Sequence, residues 1–253
     1  MKSKENPMLK LENLSFGFEK TKPILTDISF TIEAGSFTLI TGPNGSGKSL
    51  LLKCIKGLLK PTSGTIVLDG SDVTRSSKKR LTSIGLVFQD AETQIVGQTV
   101  ERDILFGLEN LELPLSVQQE RLAAVVQLLD LTKQLSQRPR TLSGGEKRRL
   151  SIAGVLVMEP KLLIMDEPFA NLDYPSVVQV LKTLLQLKEE GHTIVLVSHE
   201  VEKILAYTDD VIILSEGKVA AQGPPASVRS LFSKHGVYLP TDIPLEELTW
   251  LKP

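Results

Sequence analysis

The sequence predicts an α/β fold: a mostly parallel core sheet, an N-terminal antiparallel β-subdomain and an inserted helical subdomain. Three observations carry this. Four short runs, "FTLITG" (37–42), "IGLVFQ" (84–89), "LLIMDE" (162–167) and "TIVLVS" (193–198), are apolar on consecutive positions, as strands covered on both faces must be. Between the last two, "YPSVVQVLKTLLQLKEE" places Val177, Leu181, Leu184 and Leu185 on one helical face, with Pro175 in the first turn and Gly191 just past the end; this is a βαβ crossover. The earlier "MLKLENLSFGF", "ILTDISFTIEAG" and "GTIVLDG" read as strands separated by turns, and from about Gln94 to Met158 strand signals give way to helical patterns.

Composition narrows the function. With 253 residues, 41% of them hydrophobic, the chain can bury one sizeable core and a smaller lobe. The net charge of −1 supplies no global attraction for nucleic acid, and the runs Lys78, Lys79, Arg80 and Lys147, Arg148, Arg149 read as solvated faces. A single cysteine, Cys54, excludes an intrachain disulfide and fits a reducing compartment. The N-terminal "MKSKENPMLKLENLSF" lacks the uninterrupted apolar stretch of a secretory signal. No run approaches the roughly 18 to 20 apolar residues that span a bilayer, so any membrane role must pass through a partner.

The first chemical motif is "GPNGSGKS", residues 42–49, which matches G-x-x-x-x-G-K-[ST] between the strand at 37–42 and a helix beginning near Lys48. Gly42, Pro43, Asn44, Gly45, Ser46 and Gly47 form a loop whose backbone N–H groups can turn inward around phosphate oxygens, and the helix start, with Ser49 and Leu50, adds its partial positive charge. Lys48 would bridge the β and γ phosphates of ATP and Ser49 would ligate Mg²⁺. An ordinary glycine turn matches this pattern by chance in roughly one chain in a hundred. Downstream, "LLIMDE" buries a strand and delivers Asp166 to its end, where a carboxylate can hold the Mg²⁺ shell through a water. Glu167 follows, placed to orient or deprotonate the attacking water.

Together with the remaining punctuation these residues resemble the ATP-binding cassette (ABC) ATPases, a branch of the P-loop NTPases. Phe18, the phosphate loop, Gln89, "LSGGE", "LLIMDE", "NLD" (171–173) and His199 occur in the order of that family, from residue 9 to about 220. The resemblance implies that Phe18 stacks on adenine, with Phe16 as its nearby rival, and that Gln89 contacts Mg²⁺ and the water. It implies too that His199, opening a helix after a core strand, bonds the γ-phosphate and holds Glu167. Asp173 would mark the loop through which two nucleotide sites communicate, and also suits a helix N-cap.

"LSGGEKRRL" (142–150) is the second glycine-bearing helix start. Ser143 and Glu146 have capping-box spacing, yet Gly144 and Gly145 cost a helix about 1 kcal/mol each relative to alanine, so something must approach the backbone closely. The chain's own phosphate site is already served, which points to the γ-phosphate held by a neighbouring subunit. Ser143, Gly144, Gly145 and Glu146 would then act in trans. Glu146 either accepts a bond from the neighbour's ribose or is spent on the cap.

A narrower likeness lies in "FQDAETQIVGQTVERDILFGLEN" (88–110), which is similar to ATPases of energy-coupling factor importers for vitamins or transition-metal ions such as cobalt and nickel. Gln94, Val100, Asp103, Phe106, Gly107, Glu109 and Asn110 carry it, and Ala91 departs from the expected proline. The tail "GPPASVRSLFSKHGVYLPTDIPLEEL" (223–248) also resembles the short C-terminal extension of that group, the alternative being a peripheral helix and a proline-punctuated tail, so the chain divides into an ABC ATPase domain at 1–223, with its helical subdomain at about 94–158, and a short extension at 224–253. The implied partners are a second ATPase chain, identical or paralogous, and integral membrane components at the cytoplasmic face of the membrane. The alternative is a soluble ABC-type ATPase acting in cofactor assembly or another process outside transport.

Overall fold

The computed structural model describes residues 7–19, 22–240 and 242–251. Residues 1–6, on which part of the reading against a secretory signal rests, lie outside the described residues. β1 (Leu9–Phe16) and β2 (Leu25–Ile32) alternate buried with more exposed positions. β3 (Phe37–Thr41), buried throughout, runs through the 42–47 loop into α1 (Lys48–Lys56). Next come β4 (Ser63–Leu68), β5 (Ser71–Asp72), α2 (Ser77–Ser83) and β6 (Ile84–Val87). The inserted helices are α3 (Val100–Asn110), α4 (Leu115–Leu128) and α5 (Gly144–Leu156). After β7 (Leu162–Asp166), α6 (Tyr174–Glu189) crosses over to β8 (Thr193–Val197), and β9 (Asp210–Ser215), β10 (Lys218–Gly223) and α7 (Pro225–Val228) follow.

Among the described residues the strands form an antiparallel sheet, β2-β1-β4-β5, and a larger sheet, β10-β9-β3-β8-β7-β6. The larger sheet is parallel apart from the β9–β10 pair. Its consecutive apolar residues are divided between two cores. Leu39, Met165, Leu196 and Ile213 face α3 to α6, whereas Ile40, Ile164, Val197 and Ile212 face α1 and the antiparallel sheet. Thr41, Val87, Asp166 and Val197 end their strands along one edge, where open α/β sheets bind ligands.

Three local expectations need correction. On α6, Val177, Leu181 and Leu184 are buried, but Leu185 is only half-buried; Val180 and Leu187 complete the 3.6-residue stripe. Arg80, Arg148 and Arg149 are buried rather than solvated. Arg80 donates to the Cys54 and Thr74 carbonyls, Arg148 to those of Phe88 and Gln89, and Arg149 to Gln179. A planar fork of donors suits carbonyls stranded at helix and strand ends. Finally, His199 precedes two 3₁₀ turns, Val201–Lys203 and Leu205–Tyr207, instead of an α-helix. Glu200 and Ile204 hold non-helical dihedrals there, while Val201, Ile204 and Leu205 are buried.

The segment after α7 packs inward. Phe232, Val237, Leu239 and Leu248 are buried in the same core as α5 and α6, with Ile243, Leu245, Trp250 and Leu251 against it. Burial pushes the Cys54 thiol up to about 12, which keeps it an inert core group. Among the described residues no helix is long and apolar enough to cross a membrane.

Candidate nucleotide-binding and hydrolysis site

The phosphate loop is shaped by what surrounds it. Gly42, Gly45 and Gly47 all have positive φ, and a Cβ on Gly42 would lie 1.9 Å from the Leu214 carbonyl oxygen, so no other residue fits that position. Ser46 N–H donates to Pro43 at 3.2 Å and tightens the turn. Gly47 caps α1 without a side-chain hydrogen bond, and the first turn has no acid. The helix therefore presents N–H groups and its positive end to the loop, a ready anion site. Ser46 Oγ is buried without a hydrogen-bond partner among the described residues. Lys48 Nζ donates to the carbonyls of Gly42 at 2.8 Å and Pro43 at 3.0 Å. Burial lowers the Lys48 pKa, against the opposing pull of Glu167 and Asp166.

The two acids differ in environment. Burial raises the Asp166 pKa; the Ser49 hydroxyl, hydrogen-bonded to it, offsets part of this, Glu167 raises it further, and Lys48 and Lys53 draw it down. Glu167 is 7% exposed and sits at φ 46, a left-handed conformation that costs a side-chain-bearing residue roughly 1–2 kcal/mol. That bend is held by Glu167 N–H donating to Val197 at 2.8 Å. Glu167 Oε1 accepts from His199 Nδ1 at 2.8 Å, and Oε2 is buried without a partner among the described residues. An unsatisfied buried acceptor costs roughly 1–3 kcal/mol, so this oxygen marks a place for water or a cation. The His199 side chain, 56% exposed, reaches the edge from solvent.

Phe18 is 73% exposed and meets Phe16 edge-on at 5.2 Å, whereas Phe16 is 5% exposed. Of the two rivals, only Phe18 offers a face to a base. Gln89 lies just past β6, exposed, with its carbonyl accepting from Arg148 at 2.6 Å; Phe88 accepts from the same guanidinium at 2.7 Å. The loop beyond is pinned by residues already singled out by their likeness to importer ATPases. Gln94 Oε1 accepts from Phe88 N–H at 3.0 Å, its Nε2 donates to Ser151 at 3.2 Å, and Asp103 Oδ1 accepts from Val96 and Gly97 at 2.7 Å.

The glycine-bearing start of α5 is a full capping box. Ser143 Oγ accepts from Glu146 N–H at 3.3 Å, and Glu146 Oε2 accepts from Ser143 N–H at 2.8 Å. Glu146 Oε1 also accepts from Gln134 at 2.9 Å. The bond from Ser143 is the main reason the Glu146 pKa lies below its ordinary value. Both carboxylate oxygens are thus engaged within the chain. At Gly145 the close neighbour is intrachain: a Cβ would lie 2.3 Å from Ser176 Oγ, in the first turn of α6. At Gly144 a Cβ would meet only Leu172 at 4.0 Å. Asp173 caps α6, accepting from Ser176 N–H at 3.2 Å.

Hydrogen bonds join Ser49 to Asp166 and His199 to Glu167, and Lys48 lies within the field of both acids; Gln89 shares their edge through its strand, while Phe18 and the Ser143–Glu146 turn have surroundings of their own. Arg148 and Ser176 were missed by sequence reasoning. The basic run containing Arg148 was visible, but its burial was not.

The ABC transporter family matches residues 25–170, more than half of the chain. The chain belongs to that family. Among curated relatives of this ABC ATPase is the energy-coupling factor transporter ATP-binding protein EcfA of Methanosarcina acetivorans, 40% identical over 88% of this chain and 82% of its own. EcfA2 of Clostridium perfringens is 38% identical over 88% of this chain and 80% of its own. Among solved structures, cbiO1 of Clostridium perfringens, described as part of the ABC transporter complex cbiONQ, superposes with a TM-score of 0.83 at 37% identity, covering 93% of this chain and 97% of that one.

Proposed function

We propose that this ABC ATPase energises an importer of the energy-coupling factor type, carrying a vitamin or a transition-metal ion, as one of two ATPase chains closed face to face at the cytoplasmic face of the membrane. The observation that carries the hydrolytic reading is Glu167: one oxygen held by His199, the other buried with no partner among the described residues, at the strand edge that bears Lys48 and Asp166. The names of the EcfA relatives and the likeness to cbiO1 support the importer reading.

ATP would stack its base on Phe18 and lay its phosphates in the 42–49 loop, with Lys48 Nζ exchanging the Gly42 and Pro43 carbonyls for β and γ oxygens. Glu167 orients the attacking water or takes its proton, and His199 keeps that carboxylate aimed. The donor set suits Mg²⁺: Ser49 Oγ and the carboxylate of Asp166, directly or through water, are hard oxygen ligands, and Gln89 stands on the same edge. Among the described residues no group of three His, Cys, Asp or Glu could hold a metal, so the remaining ligands would come from phosphate and water. The ion supplies charge neutralisation on the transferring phosphoryl group. Ser143, Gly144, Gly145 and Glu146 of the second chain would close over the γ-phosphate, with Glu146 serving through its cap. Loss of that phosphate loosens the interface, and the loop after Gln89 passes the motion to the membrane components.

Glu167→Gln tests this. The variant should bind ATP, elute as an ATP-dependent dimer in size-exclusion chromatography and lose turnover. Hydrolysis at the wild-type rate would sink the assignment.

A further inference from the structure

We propose that Trp250 is a positioning residue for hydrolysis, tying the turn after His199 to the helix start after Asp173. The inference rests on the hydrolytic reading above. Lys203, with a side chain 5% exposed, donates to Glu200 Oε1 at 2.5 Å, and its Nζ lies 4.3 Å from the Trp250 ring centroid and 5.9 Å from that of Phe169. The Tyr174 ring lies against the indole at a 38° tilt, with centroids 5.5 Å apart, and its hydroxyl donates to the Trp250 carbonyl at 3.2 Å. Two backbone bonds fasten the tail to the same turn: Trp250 N–H to Lys203 at 3.3 Å, and Ala206 N–H to Leu248 at 3.1 Å.

Each partner is a chain neighbour of the site. Phe169 stands two residues past Glu167, Tyr174 follows Asp173, and Glu200 follows His199. A buried ammonium is tolerated only when compensated, here by one carboxylate and the faces of two rings. Remove the indole and Lys203 loses one of these, so the 200–203 turn is released to shift. His199 directly precedes that turn, and its 2.8 Å bond aims Glu167. A small displacement at the tail thus reaches the catalytic carboxylate through Lys203, Glu200 and His199.

The test uses the full chain. Trp250 is its sole tryptophan, so indole emission reports this position alone. In the Glu167→Gln background, adding MgATP should change that emission. Trp250→Ala should lower kcat about tenfold or more, with KM for ATP and Tm near wild type. Trp250→Phe, which keeps a ring over Lys203, should recover most of kcat; Lys203→Met should match Trp250→Ala, and the double variant should be no worse than either single one. Unchanged kcat in Trp250→Ala, a loss shared equally by Trp250→Phe, a fall in kcat that follows Tm, or emission indifferent to MgATP each overturns the proposal. Wild-type turnover is the control: its absence sinks the hydrolytic reading and this inference with it, whereas an active wild type beside indifferent variants sinks only this one.

Discussion

Gly144 and Gly145 are adjacent, yet their hydrogens face different things. A methyl group on Gly145 would collide with Ser176 of the same chain, and one on Gly144 would enter open space bordered by Leu172. Gly145→Ala should therefore destabilise the fold by about 1–3 kcal/mol, and Ser176→Gly should relieve part of that loss. Gly144→Ala should leave Tm unchanged or raised, since alanine favours helix by about 1 kcal/mol, while ATPase activity should fall if the proposed trans phosphate docks at this backbone. Thermal denaturation beside turnover separates the two; equal Tm losses would mean that Gly144 too is constrained from within. This is also where the sequence was only half readable. A helix that begins with two glycines announced close approach to its backbone, but a linear pattern has no term for Ser176, which arrives from a helix 30 residues on. Likewise Glu146 could be read as cap or as ribose ligand, and only the bonds to Ser143 and Gln134 show both oxygens engaged.

Strands and crossover were legible because burial on both faces leaves consecutive apolar residues, a signal that survives without neighbours. Arg148 was not, because a basic run looks the same whether it is solvated or folded under. Here its guanidinium fastens α5 to the end of β6 through the Phe88 and Gln89 carbonyls, so the helix that carries the Ser143 cap is tied directly to the start of the loop after Gln89. Lys56 ends α1 in a comparable role, donating to the Leu81 and Ile84 carbonyls. Burial pushes its pKa from 10.5 down to about 8. Below about 8 both folded and unfolded chains carry the proton, and the folded one bears the whole desolvation penalty. Between about 8 and 10.5 the unfolded chain alone keeps it, so stability contributed at this position rises with pH across that window. Urea titrations at the two ends should show wild type gaining on Lys56→Met as pH rises. A constant difference would refute the assignment.

At the scale of the molecule, the family likeness read from seven short motifs agrees with the match to residues 25–170 and with the superposition on cbiO1. The importance of the tail was not legible, because its proline-punctuated sequence shows no period, although Phe232 and Leu248 lie in the main core. If two chains share each nucleotide, specific activity should fall on dilution, as initial rates across a wide protein range would show; full activity in a monomer at high dilution would overturn the shared site. β3, which leads into the phosphate loop, pairs on one side with β8 and on the other with β9, so Phe37 waits for Ile194 and Thr38 for Asp210. Residues 42–49 are thus synthesised before either strand that pairs with the one aiming them. Contacts so distant in sequence are slow to close. The phosphate loop therefore depends for its aim on strands that lie far beyond it in the chain.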